Sequence, residues 1–226
     1  MNILDYTNVL DFHEASGFNT TTMFTTKKNH SKTSEEILND TCVSYGINQE
    51  NIATCIQNHS NIVTFIEKPG IYKNTDGLVT YVDTGVVLKI QTADCVPIFM
   101  IDKENKIIGL VHSGWKGTRD SIILSALKIF IKEGSNTKNI VICLGPCIKE
   151  CCYVVKEDVS HFFNKKNIIN KNGKLFLNLI SKIKDDLYNN GIKNIYESNI
   201  CTYHNKEYHS YRKEKGGNTR MYSIMG

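Results

Sequence analysis

Long apolar runs are missing from this chain, and so is a basic stretch leading into an apolar one at its start. The most apolar segment, residues 85–102 (GVVLKIQTADCVPIFMID), is interrupted by Lys89 and Asp94, well short of the ~20 apolar residues that a spanning helix needs. The opening MNILDYTNVLDFHEASG has no signal-peptide pattern. No membrane partner is expected, and the expected location is cytoplasmic. Proline is scarce: its three residues form no linker, and no repeat or biased tract marks a boundary. One domain over residues 1–226 is the expectation.

A strong charge of one sign is also absent. Lys and Arg number 27 against 23 Asp and Glu, and the lysines are scattered rather than striped, which argues against a nucleic-acid partner. No Cys-x-x-Cys pair occurs among the eight cysteines at 42, 55, 95, 143, 147, 151, 152 and 201. A disulfide framework belongs to short secreted chains, so most of these should be free thiols in a core. Cys143, Cys147, Cys151 and Cys152 cluster in sequence, yet Gly145 and Pro146 break any helix that would align them. That local run is not expected to hold a metal.

What is present is a layered pattern. Strand-like runs rich in β-branched residues lie at 20–26, 51–57, 61–67, 86–92, 107–112 and 139–145. Their near-continuous apolarity predicts strands covered on both faces. Thr33 and Glu36 form a capping-box pattern that opens a helix through Ile37, Leu38 and Cys42 toward Gly46. Helical spacing recurs from Ile122 to Ile131 before Gly134, and from Leu177 to Leu187 before Gly191. Strands interleaved with helices predict an α/β fold, a three-layer α/β/α arrangement with a mixed sheet.

Three places could carry chemistry. The strand ending at His112 runs into the turn Ser113–Gly117 and then a helix starting near Thr118–Asp120, with Lys116 and Arg119 beside it. A helix start flanked by two cations suits an anion such as phosphate; it equally suits a plain turn whose glycines solve a backbone problem. Asp94 and Cys95 stand where another apolar strand ends. A thiol there is a small buried hydrophobe, a nucleophile or a soft metal ligand, while a carboxylate among apolar residues is costly unless paired or functional. His59 lies between two strands, and the gaps from His59 to Cys95 and Cys95 to His112 match no zinc-module spacing.

The segments Gln57-Asn58-His59-Ser60, Asp76-Gly77-Leu78-Val79-Thr80, Thr92-Ala93-Asp94-Cys95-Val96-Pro97, His112-Ser113-Gly114-Trp115-Lys116-Gly117-Thr118, Gly145-Pro146-Cys147-Ile148 and Ser210-Tyr211-Arg212-Lys213 with Thr219-Arg220-Met221 resemble, in order, the YfiH family. That family is also described as polyphenol oxidase or laccase-domain proteins. The resemblance spans roughly residues 20–226 and leaves 1–19 as a variable extension. It implies a YfiH-like fold and zinc held by His59, Cys95 and His112. It further implies phosphorolysis of purine nucleosides with phosphate (adenosine, inosine, guanosine, methylthioadenosine) and deamination of adenosine. Asp94, Cys95 and His112 become the candidates for catalysis, with Lys116, Arg119, Arg212 and Arg220 for substrate or phosphate. The C-terminal segment is expected to fold back beside this site, with Tyr211 in its wall and Arg212 or Arg220 meeting a buried carboxylate such as Asp94 or an anionic substrate group. Where relatives carry a Thr-x-Arg-x-Gly-Gly loop, this chain has Thr25-Thr26-Lys27-Lys28-Asn29-His30, and Lys116 and Lys149 replace the family's usual Arg and Gly.

Rival readings stay open on the residues. Cys95 as nucleophile, His112 as base and Asp94 as orienter would make a cysteine hydrolase. Thiolate and imidazole also bind copper, but a multicopper phenol oxidase needs many histidines and this chain has seven. A zinc that only staples the fold would recruit a fourth protein ligand, with His204 or His209 as candidates.

Overall fold

The structure, a computed structural model, describes residues 21–27 and 32–226 together with the backbone of the strands Leu4–Tyr6 and Val9–Asp11. The substituted loop residues Lys28, Asn29 and His30, and the rest of the 1–19 extension, lie outside the described residues.

Two mixed sheets form the body. One runs Leu4–Tyr6, Val9–Asp11, Thr22–Thr25, Met221–Met225, Val87–Thr92, Ile52–Ile56, Gly70–Lys73; the other runs Asn194–Glu197, Ile140–Leu144, Val96–Asp102, Ile107–Ser113, Gly77–Tyr81, Val63–Phe65. Each contains both parallel and antiparallel pairs. A small antiparallel sheet of Val154–Val155, Lys174–Leu177 and Ile168–Lys171 stands apart.

The strand alternation shows how the layers stack. In Val96–Asp102, Ile98 and Met100 join Ile122, Ile123, Phe130, Ile183 and Leu187 in one core. Phe99 and Ile101, pointing the other way, join Phe24, Leu88, Ile90 and Met225 from the other sheet. Helices Ile122–Lys132 and Leu179–Asn189 thus cover the outer face of one sheet. Ser34–Ser44 covers the other through Leu38 and Cys42 against Met23, Tyr222 and Ile224. The α/β class and mixed pairing follow the sequence pattern; the expected single central sheet is resolved into two sheets face to face. A strand apolar on both sides reads the same whether its second face meets a helix or another sheet.

Local signals explain the element ends. Thr33 and Glu36 close the capping box from both sides, and Gly46, at φ 66, receives the chain after the Ser34–Ser44 helix. Leu177 ends a strand rather than opening a helix, because Asn178 caps the helix by accepting from Ser181 N. The helix expected near Thr118 is two pieces, Trp115–Arg119 and Ile122–Lys132, broken at Ser121 with φ 54. Gly109 is needed for packing: a Cβ there would sit 2.9 Å from Phe130 Cε2.

Candidate metal centre

His59 lies in the loop after Ile52–Ile56, Cys95 in the turn between Val87–Thr92 and Val96–Asp102, and His112 near the end of Ile107–Ser113. Their ligand atoms all lie within 4.8 Å of one another, and the two imidazoles meet edge to face with centroids 4.7 Å apart. Three residues that no sequence spacing connects therefore share one point. His59 itself sits in the left-handed region at φ 61, a costly conformation for a side-chain-bearing residue.

Asp76 organises this point and is fully buried. Its Oδ1 lies 2.8 Å from His112 Nδ1 and accepts from His59 N at 2.9 Å, while Oδ2 accepts from Ser60 N and Ser60 Oγ, both at 2.7 Å. Its carbonyl accepts from His112 N at 2.7 Å. With Nδ1 engaged by the carboxylate, Nε2 of His112 is left for Cys95 or a metal. Burial works to raise the Asp76 carboxyl, but the bonds from His112 and Ser60 prevail and hold it down at about 2.

Burial likewise pushes the Cys95 thiol up, yet attraction to His112 and hydrogen bonds with His112 and His59 bring it to about 6. His112 feels the opposite balance: burial lowers it, and Cys95 and Asp76 together raise it to about 9. Gly114 keeps the space open. A Cβ there would lie 2.8 Å from His59 Cδ2 and 3.0 Å from Cys95 Sγ.

Beside the three donors is a cleft of about 560 Å³, walled among others by Asp94, Trp115, Tyr153, Tyr211, Arg212 and Arg220. The C-terminal segment folds back here as expected. The guanidinium-to-carboxylate pair does not form: Asp94 Oδ2 accepts from the backbone N of Arg212 at 2.7 Å, and Oδ1 accepts from Thr202 Oγ1 at 2.7 Å. The Arg212 guanidinium instead lies over the Tyr153 ring at 5.0 Å, and that of Arg220 over Tyr211 at 5.8 Å. The expectation that Asp94 orients His112 is also corrected, since Asp76 holds that position. Asp94 remains on the cleft wall.

Lys116 and Arg119 are not among the residues that line the cleft. The helix that carries them is five residues long, Arg119 pairs with Asp120 at 2.6 Å, and its guanidinium lies over Phe162 and Trp115. Lys116 is exposed beside Trp115. Among the described residues the guanidiniums on the cleft wall are those of Arg212 and Arg220. His204 lies with Cys151, Cys152 and Cys201 rather than at the first point, and His209 faces Glu214.

The family model described as multi-copper polyphenol oxidoreductase laccase matches residues 12–226. The chain belongs to this family. A purine nucleoside phosphorylase of Borreliella burgdorferi is 35% identical over 207 residues, 84% of this chain and 86% of that protein. One of Aquifex aeolicus is 34% identical over 178 residues, covering 78% and 84%. A protein from an unknown prokaryotic organism named adenosine deaminase RL5 is 30% identical over 146 residues, covering 60% of this chain and 55% of its own length. Among solved structures, Bacillus licheniformis YfiH superimposes with a TM-score of 0.87 at 25% identity, covering 99% of this chain and 97% of its own. Geobacillus stearothermophilus YlmD shares the fold, with a TM-score of 0.88 at 22% identity over 99% and 97%.

For this laccase-family chain, sequence reasoning overlooked Asp76 and Gly114 as parts of the centre, although both stand in segments that carry the resemblance. The available signal for Asp76 was a carboxylate just before the apolar run Gly77-Leu78-Val79, where burial demands partners. Among the described residues no helix is long and apolar enough to cross a membrane.

Proposed function

We propose that this chain is a zinc-dependent purine nucleoside phosphorylase that also deaminates adenosine, working in the cleft beside His59, Cys95 and His112. The observation that carries the proposal is the convergence of those three donors on the wall of a cleft whose volume, about 560 Å³, falls in the range that takes a small-molecule ligand. The relatives named purine nucleoside phosphorylase support the same reading.

The donor set fits zinc. One thiolate and two imidazoles would hold zinc through three protein ligands, the ligand count of catalytic rather than structural sites, and a Cβ at Gly114 would crowd His59 and Cys95. Zinc bound there would supply Lewis acidity to a water or substrate oxygen. Asp76 fixes the His112 ring so that its free nitrogen faces Cys95.

In phosphorolysis the bond from the base to C1′ breaks, a phosphate oxygen bonds C1′, and the departing base takes up a proton. We assign phosphate binding to Arg212 and Arg220, which line the cleft, since their planar forks suit its oxygens. Asp94 is the acid on the cleft wall assigned to proton delivery, and Trp115, Tyr153 and Tyr211 offer faces for the purine. The test is incubation of the pure protein with adenosine, inosine, guanosine and methylthioadenosine, with and without phosphate, with products resolved by chromatography. Free base that forms only with phosphate, and inosine from adenosine without it, are the expected results. No product from any nucleoside with zinc-loaded protein would overturn the reading.

One observation favours a second reading. In the metal-free centre Cys95 and His112 form a thiolate–imidazolium pair, with Cys95 at about 6 and His112 at about 9, the electrostatics of a cysteine nucleophile. Asp76 rather than Asp94 would be its orienter. Zinc that protects Cys95 from iodoacetamide while supporting turnover favours the metalloenzyme; turnover by zinc-free protein, abolished by iodoacetamide, favours the hydrolase.

A further inference from the structure

Four of the eight cysteines, Cys42, Cys55, Cys143 and Cys147, belong to the apolar cores. Cys151, Cys152 and Cys201 belong to none of them. Cys151 is exposed and Cys152 half-buried, in a tight turn where Lys149 O accepts from both Cys152 N and Tyr153 N at 2.9 Å. Cys201 starts a second turn that ends with His204, 50 residues further along. A parallel bridge between Cys147 and Cys201, and a bond from Thr202 N to Cys147 O at 3.0 Å, hold the two turns against each other.

The side chains then converge. Cys151 Sγ lies 3.5 Å from Cys152 Sγ, and Cys152 Sγ lies 3.2 Å from His204 Nε2. The ligand atoms of all four residues lie within 4.8 Å of one another. Zinc bonds of about 2.3 Å to sulfur and 2.0–2.1 Å to nitrogen set tetrahedral donor separations of about 3.5–3.8 Å, so the cluster needs only small side-chain adjustment to close on an ion. The Cys201 sulfur also accepts hydrogen bonds from the backbone N–H groups of Lys149, Tyr203 and His204, the kind of outer support that steadies a metal thiolate.

We propose that Cys151, Cys152, Cys201 and His204 form a second zinc site, structural in kind, that clamps the turn at 149–153 to the turn at 201–204. Three thiolates and one imidazole make a closed set with no position left for substrate. No spacing in the sequence signals this set, because half the ligands come from a different turn, which the Cys143–Cys152 run alone does not contain. The clamp backs the cleft: Ile148 N donates to Asp94 O at 2.9 Å, and Thr202 Oγ1 donates to Asp94 Oδ1. One support of Asp94 thus lies in the turn at 201–204 and the other on the residue just before the turn at 149–153. The site stands whether or not the first centre acts on nucleosides.

The test is metal content of the full chain, purified with zinc and dialysed against metal-free buffer, then measured by mass spectrometry. Wild-type protein is expected to hold two zinc ions per chain. Cys95→Ser, which disables the first centre, should keep one, and its cobalt derivative should show the strong charge-transfer absorption of three thiolates. Cys151→Ser with His204→Ala should lose one zinc, give a cobalt spectrum with the weaker band of a single thiolate, and melt at a lower temperature. Both altered residues are exposed, and circular dichroism reports whether the variant still folds. A folded Cys95→Ser protein without metal would overturn the proposal. So would a Cys151→Ser, His204→Ala protein that holds as much zinc as wild type, or an intact mass showing two of these three cysteines joined as a disulfide in the zinc-treated chain.

Discussion

Asp76 does not itself line the cleft, yet it sets the geometry of two donors at once, through its bonds to His112 Nδ1 and to the backbone of His59 and Ser60. Asp76→Asn keeps the size of the side chain but aims an amide N–H at backbone donors. Zinc affinity at the centre should fall about 10–100-fold, the usual effect of losing such an outer partner, as read by competition with a chromophoric chelator. Unchanged affinity would show that His112 holds its orientation without the carboxylate. Gly114→Ala is the complementary case. Gly114 has an ordinary φ of −78, so alanine is tolerated by the backbone, and the harm falls on His59 and Cys95; zinc binding should weaken with little change in the melting temperature of the metal-free protein. Acidity follows from the same residues. Metal-free Cys95 near 6 and His112 near 9 must both lose their protons to bind zinc. Affinity should thus rise about tenfold per pH unit between 6 and 9, where only the His112 proton is displaced, and more steeply below 6, where Cys95 is protonated as well. A flat profile from pH 6.5 to 8.5 would refute the thiolate–imidazolium pairing.

At the scale of elements, the C-terminal segment brings Arg212 and Arg220 to the cleft, and it is fixed there by a backbone bond, Arg212 N to Asp94. Arg212→Ala leaves that bond intact. The double variant Arg212→Ala, Arg220→Ala therefore keeps that backbone bond but removes two guanidiniums together with their bonds to the carbonyls of Val154, Gly217 and Thr219, and we expect the KM for phosphate to rise about tenfold or more, in keeping with lost charge-assisted bonds, with a modest fall in melting temperature. A phosphate KM that does not move would take both residues out of phosphate binding; Lys116→Ala, by contrast, should leave it unchanged, because Lys116 lies outside the cleft wall. Six strands, the capped Ser34–Ser44 helix and the Ile122–Lys132 helix were legible in the sequence because each is written in contiguous periodicity or a local cap, whereas Gly77–Tyr81, Val96–Asp102 and Met221–Met225 were not named as strands. The break at Ser121 was not, since the apolar spacing runs on through the helix beyond it. Asp76 was overlooked: a carboxylate before an apolar run signals a need for partners, but those partners lie 16 to 36 residues away, and no local pattern says which they are. The donors His59, Cys95 and His112 were named only through the family resemblance, for the same reason.

At the scale of the whole molecule, the centre lies on the seam between the two sheets. His59 follows a strand of the seven-stranded sheet, His112 belongs to the six-stranded sheet, and Cys95 sits in the turn by which the chain passes from Val87–Thr92 in the first to Val96–Asp102 in the second. The interleaved core of Phe24, Leu88, Ile90, Phe99, Ile101 and Leu110 already joins the sheets along their faces; a metal would join them at the edge where the cleft opens. Because unfolding separates all three donors, zinc should stabilise the domain as one unit rather than a single loop. Free zinc at a hundred times its dissociation constant adds about 2.7 kcal/mol, and for a chain of this length each kcal/mol moves the melting point by about 2–4 °C, giving a rise of about 5–10 °C. The measurement is best made in the Cys151→Ser, His204→Ala background, so that the other cluster does not contribute. A single calorimetric transition that climbs with zinc, and that no longer climbs once Cys95→Ser is added, is the expected outcome. If the melting point is indifferent to zinc, or if zinc splits the transition in two, the centre does not couple the sheets, and the seam is held by its apolar core alone.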